Sequence, residues 1–228
     1  MEREGADGSA PAAAVCWRGC ACSVGNEFGD RQARRDLAGY RRHGANRTTG
    51  WLIDGLIGDG VAGLTVLDIG AGIGAVHLAL LAAGAVSAVD VDGSPAYVEL
   101  AREEARLAGR GDVVRHETGD FVELADSIDA ADLVALDRVV CCYPDMASLV
   151  GLSVGRARRR YGLVYPRDTR WIRAASRAVE LVARLTRQRF RLWVHRTAEV
   201  DAIVRAAGFT PRLRRSTVLW QVVVYERD

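Results

Sequence analysis

The 228-residue chain contains no lysine: all 31 of its Lys+Arg positions are arginine. That excludes a Schiff-base or other lysine-centred mechanism, because no such amine is present to be tuned. Net charge is also short. The arginines stand against 29 acids, a formal +2, so no global field draws the chain to nucleic acid. Long apolar runs are missing. None reaches the ~18–20 residues of a membrane span, and no charged-then-apolar leader is visible. Five cysteines, an odd number, make a poor disulfide framework and point to a reduced, cytoplasmic setting. Apolar residues, at 49%, are plentiful enough for the core of one α/β domain with an N-terminal extension.

The rest of the chain is organised around Val66-Leu67-Asp68-Ile69-Gly70-Ala71-Gly72-Ile73-Gly74. Thr65 to Ile69 is a short apolar run of the kind found in strands buried on both faces, and Ala75 to Ala83 reads as a helix closed by Gly84. Between them Gly70, Gly72 and Gly74 let backbone approach a ligand, and the following helix presents N–H groups with no internal partner. Asp68 speaks to the charge of that ligand. A carboxylate beside a pyrophosphate would be repelled, whereas the ammonium and sulfonium of S-adenosylmethionine suit it. Val86 to Asp92 is a second buried strand that ends in acids. In a βαβ unit such an acid holds the ribose hydroxyls. Asp92 is preferred to Asp90 because it precedes Gly93-Ser94-Pro95, where Ser94 can cap the next helix and Pro95 can open it.

With Gly119-Asp120-Phe121 further on, the chain resembles the class I, Rossmann-like S-adenosylmethionine methyltransferases over roughly Trp51 to Tyr225. The resemblance implies S-adenosylmethionine as cofactor, with Asp120 near its adenine amino group. Seven strands alternating with helices give an α/β fold, a doubly wound and mostly parallel sheet. Phe209 to Arg214 and Thr217 to Tyr225 would close it as an antiparallel hairpin. Residues 1–50 are expected to be a flexible cysteine-containing extension with a helical lid, and 51–228 the methyltransferase domain.

Met1 to Val15 lacks periodicity. Cys16, Cys20 and Cys22 follow, at a spacing that matches no paired zinc motif, so no metal is expected there. Asp30 to Arg42 forms the lid helix, and Tyr40, Arg47 and the Asn46-Arg47-Thr48 turn are placed to reach inward, Arg47 toward the cofactor. Trp51 to Ile57 is a second helical piece. Asp132 to Asp137 reads as the fourth strand and runs into Arg138-Val-Val-Cys-Cys142-Tyr143-Pro144. This loop belongs at the carboxyl edge of the sheet, with Asp137 beside the cofactor and Arg138, Cys142 and Tyr143 beside the acceptor. Met146 to Arg160 reads as one helix whose terminal arginines complement its dipole. Thr169 to Phe190 has room to wall a pocket.

The C-terminal half resembles the magnesium-protoporphyrin O-methyltransferases in Leu136 to Pro144, in Tyr165-Pro-Arg-Asp168, and in His195 before Glu199 to Phe209. It departs where those enzymes carry a histidine before Tyr-Pro, since this chain has Cys142. A related enzyme with another acceptor is therefore expected, and Trp171 and Trp193 are placed to narrow its pocket. Methyl transfer from a sulfonium is an in-line displacement in which the protein mainly positions the acceptor. For a hydroxyl or amine acceptor a base helps, and His195, then Tyr40, are the catalytic candidates. The expected activity is methyl transfer to O or N of a small molecule. An RNA methyltransferase would want a basic face with interleaved aromatics. A non-catalytic cofactor-binding partner would keep the glycine turn and lose the acceptor pocket.

Overall fold

The computed structural model describes residues 29–176 and 193–227. At its centre lies β1 (Thr65–Ile69), flanked in parallel by β2 (Ser87–Asp92) and β4 (Ala131–Asp137). β3 (Val114–Thr118) and β5 (Ala157–Pro166) extend the sheet, again in parallel. β6 (Phe209–Ser216) and β7 (Trp220–Arg227) close it as an antiparallel pair, giving the order β3-β2-β1-β4-β5-β7-β6. The order in which successive strands are added reverses between β1 and β4. In open α/β sheets the crevice outside the carboxyl ends at such a point is where ligands bind.

The central strands are apolar throughout because both faces are covered. On one face α2 (Arg47–Ile57) and α3 (Ala75–Ala82) bury Leu52, Leu56, Val76 and Leu80 against Val66, Leu133 and Val224. On the other, α5 (Phe121–Leu124), α6 (Met146–Gly155) and α7 (Thr197–Ala206) enclose Leu67, Val134, Tyr161 and Phe209. α1 (Asp30–His43) lies over the glycine turn and α4 (Pro95–Leu107), packing Ala33 and Leu37 against Ile73 and Tyr97. Arg41 pairs with Glu104, and the Tyr97 hydroxyl donates to Asp36, so the lid is tied to α4 at two points.

Three expectations change. α2 begins at Arg47 rather than Trp51, because the Asn46 side chain accepts from the N–H groups of Thr48 and Thr49 and caps it. A boundary at residue 50 therefore falls inside a core helix. Helix α6 stops at Gly155, and Arg158 to Arg160 lie on β5, not on a helix end. Tertiary pairing overrides local propensity here. Leu133 on β4 and Glu226 on β7 flank Arg160 in register, and the residue is 6% exposed. Its Nη1 donates to the carbonyls of Leu56, Ile57 and Gly60 at 2.9–3.1 Å, and its Nε to Glu226 at 3.0 Å. The arginine does serve a helix C-terminus, that of α2. Arg160→Leu should cost about 3 kcal/mol, since one buried and two part-buried carbonyls and a carboxylate lose this donor. Urea unfolding would show it, with the exposed Arg158→Leu within about 0.5 kcal/mol of wild type. Equal midpoints for the two variants would refute this role. Third, Trp171 is 54% exposed, on a stretch helical over 170–176, and does not narrow a pocket. Cys16, Cys20, Cys22 and residues 177–192 lie outside the described residues. Among the described residues no helix is long and apolar enough to cross a membrane.

Candidate cofactor and acceptor site

A cavity of about 600 Å³ opens at the carboxyl edge where β1 and β4 diverge. The glycine turn forms its floor. Gly70 and Gly72 hold φ of 63° and 58°, a region that disfavours side chains, and both line the cavity. Gly74, at φ 83°, caps α3 from below, and a Cβ there would strike the His77 ring at 2.7 Å.

Asp92 ends β2 and lines the same space. Its Oδ2 accepts from Gly72 N–H at 2.9 Å and its Oδ1 from Ser94 N–H at 2.8 Å, so the acid ties the two loops together. Burial outweighs those hydrogen bonds and pushes its pKa up to about 6. Asp90 is different. It is fully buried, bonded through Oδ2 to His116 Nδ1 at 2.7 Å, and does not line the cavity. Asp120 caps α5 through Val122 N–H and accepts from the Tyr143 hydroxyl at 3.0 Å. Both residues line the cavity, which brings the β3 and β4 loops together.

On the far side Asp137 accepts from Thr49, and burial raises its pKa. Arg138 has φ 63°, rare for a residue with a side chain. Its guanidinium donates to Thr48 Oγ1 at 3.1 Å and stacks 5.4 Å from the Trp220 ring. Arg138, Cys142, Tyr143 and Tyr40 all line the cavity, and burial raises the Tyr40 pKa.

Four sequence candidates fall outside the cavity lining: Gly74, which caps α3, and the side chains of Asp68, Arg47 and His195. Asp68 is enclosed beneath the floor, where Oδ2 accepts from both the backbone N–H and Nδ1 of His77. The apolar run that marks β1 as doubly buried also buries its acid. Arg47 is exposed, and its guanidinium lies 4.7 Å over Trp51, one helical turn on. His195 Nε2 lies 2.9 Å from the Tyr143 carbonyl, which can only accept, so the ring donates there. Burial lowers its pKa. His195 braces the Tyr143 loop from behind. Trp193 is likewise absent from the lining, and its N–H donates to the Cys141 carbonyl.

Asn46 of the inward-reaching turn lines the cavity, and so do His43, Thr49 and Tyr97, which were not anticipated there. The available signal was Gly44, at φ 73°, which ends α1 and turns the chain back over the floor. Among the described residues no three His, Cys, Asp or Glu side chains converge on a metal position.

Residues 67–152 match the family described as "Methyltransferase domain". No curated protein matches the sequence. Among solved structures, magnesium protoporphyrin IX methyltransferase from Synechocystis PCC 6803 with bound SAH superposes with a TM-score of 0.72 at 20% identity, over 91% of this chain and 99% of that one. A putative methyltransferase in complex with the Haloferax volcanii Trm112 activator gives 0.67 at 20% identity, over 90% and 97%. An O-methyltransferase family protein from Burkholderia thailandensis gives 0.66 at 20% identity, over 92% and 64%. The glycine turn and the strand order agree with these matches: residues 67–152 are similar to the methyltransferase-domain family, and the chain has the Rossmann-like fold of the solved methyltransferases.

Proposed function

We propose that the chain transfers a methyl group from S-adenosylmethionine to an oxygen or nitrogen of a small-molecule acceptor. The carrying observation is a single cavity with two kinds of wall. Its lining holds two sets of residues: Gly70, Gly72, Asp92 and Asp120, and Tyr40, His43, Arg138, Cys142 and Tyr143. The first set suits the cofactor: a Cβ on Gly72 would meet only the Tyr97 ring, at 3.7 Å, so backbone lies bare to the ligand. Asp92 would hold the ribose and Asp120 the adenine edge. Bound there, S-adenosylmethionine supplies an activated methyl group. The protein's share is to hold the acceptor in line and take a proton if the acceptor carries one. Imidazole is the usual base at neutral pH, and among the described residues His43 is the histidine that lines the cavity. The open cavity speaks against a non-catalytic partner.

The volume is in the ~300–1,000 Å³ range of small-molecule sites and must be shared with the cofactor. That supports a modest acceptor. Turnover of magnesium-protoporphyrin is expected to run about 10²–10⁴ slower than that of the best phenol or amine, because Cys142 stands where the porphyrin enzymes carry a histidine and His43 serves the smaller acceptor. Comparable rates would show that the cysteine is tolerated. The test of the main reading is labelled-methyl transfer to pools of phenols, amines and total RNA, and label should appear in the small-molecule fraction. One observation favours the RNA reading: Arg47 and Arg215 both lie over the Trp51 ring, at 4.7 and 5.6 Å, an interleaving of base and aromatic. Label in RNA alone would adopt it.

A further inference from the structure

Cys141 and Cys142 are neighbours with thiols that methyl transfer leaves without a task. Successive side chains on a strand point to opposite faces, and on a helix i and i+1 diverge. Here the chain leaves β4, passes through Arg138 at φ 63° and tightens into the turn Val140–Cys142. The result is convergence: the two sulfurs lie 3.9 Å apart, and both face the Arg138 carbonyl, at 3.2 and 3.6 Å. Cys141 is buried behind, while Cys142 lines the cavity, and neither is in a disulfide.

We propose that Cys141 and Cys142 form a vicinal dithiol clamp that binds a trivalent organoarsenical inside the cavity. Soft thiolate sulfur prefers soft, thiophilic centres. With an arsine oxide, R–As=O, two As–S bonds form and the As=O linkage breaks. The two thiol protons leave with the oxygen as one water. No electrons change hands, so no oxidant or reductant is needed.

The pair is set up for this sequence. The contact with the Cys141 thiol lowers the pKa of Cys142, which favours the thiolate on the sulfur that reaches the cavity. The same hydrogen bond, with burial, raises Cys141. Cys142 makes the first bond, since the thiolate is the attacking form. Cys141 then closes the ring as an intramolecular step, where linkage supplies about 10²–10⁴ in effective affinity. The inference does not depend on the identity of the methyl acceptor or on the methyltransferase reading.

The test uses phenylarsine oxide on the reduced full chain, read by intact mass and by the rise in thermal midpoint that a ligand of the folded state produces. A one-to-one adduct should form, survive excess 2-mercaptoethanol and be released by 2,3-dimercaptopropanol. The Cys16→Ser/Cys20→Ser/Cys22→Ser variant should behave as wild type. Cys142→Ser should lose monothiol resistance, with affinity down about 10²–10⁴. Cys141→Ser should match it, and if that buried substitution unfolds the protein, Cys142→Ser decides alone. S-adenosylmethionine binding, measured on each variant, reports separately on the cofactor site. A monothiol-resistant adduct in Cys142→Ser, or its loss in the triple variant, would overturn the clamp.

Discussion

Gly70→Ala is expected to lose cofactor binding by more than tenfold and to lose stability as well. Two costs add. At φ 63° an alanine sits in a conformation that costs an L-residue roughly 1–2 kcal/mol. Its Cβ would also lie 2.4 Å from Cγ2 of Val139, and 3.2 Å from Cγ1. Relief requires Val139 to move, and overpacking of this kind costs about 1–3 kcal/mol. Val139 packs against the core beside α6 and adjoins Arg138, so moving it shifts the loop that carries Cys142 and Tyr143. A substitution on the cofactor side thus disturbs the acceptor side. Gly70→Ala/Val139→Ala should recover the packing part and keep the backbone part. Urea unfolding gives the stability and calorimetry the affinity. Wild-type values for Gly70→Ala would mean that the turn tolerates a side chain and that its left-handed φ is not required.

Much of this architecture is legible in the sequence because its signals are local. The apolar runs of β1, β2 and β4, each with an acid at its last or last-but-one residue, lie within a residue or so of their positions in the fold. The hairpin Phe209 to Tyr225 is found as β6 and β7, antiparallel. What the sequence hides depends on partners far along the chain. Arg160 looks like the end of a helix until Glu226 and the carbonyls of α2 are brought to it. Asp68 looks like a ligand until His77, nine residues on, folds beneath it. Its strand is buried on both faces, and that same pattern argued against a side chain open to a ligand. His195 is near the site in the chain's plan but behind the Tyr143 loop in space. His43 was not singled out, because a glycine after a helix marks where α1 ends and not that the chain folds back over the floor.

Asp92→Ala should weaken S-adenosylmethionine binding by about ten- to a hundredfold, the price of a paired polar contact worth roughly 1–3 kcal/mol. The carboxylate already anchors Gly72 and Ser94 and still faces the cavity, so a ribose would add donors to an acid whose burial is otherwise poorly compensated. Two further results separate this role from a structural one. The first is pH. With the pKa near 6, affinity should fall as pH drops through about 6, where the carboxyl gains a proton and loses acceptor capacity. Asp92→Asn should show no such step. The second is stability without cofactor. A folded pKa above the unfolded 3.8 means that the native state binds the proton more tightly. The contribution is therefore favourable below about pH 4 and is lost as pH rises through 6, by about 3 kcal/mol in all. At pH 7.5 Asp92→Asn should stabilise the cofactor-free protein by about 1–2 kcal/mol, since the amide sets one oxygen's hydrogen bond against the relief of a buried charge. Asp90→Ala should do the reverse: it leaves the buried His116 Nδ1 without its partner, costs about 1–3 kcal/mol of stability, and leaves affinity per folded molecule within a few-fold of wild type. Calorimetry at pH 5.5 and 7.5 on the three variants, beside urea unfolding, reads all of this. Unchanged affinity in Asp92→Ala together with a crippled Asp90→Ala would move the ribose to Asp90.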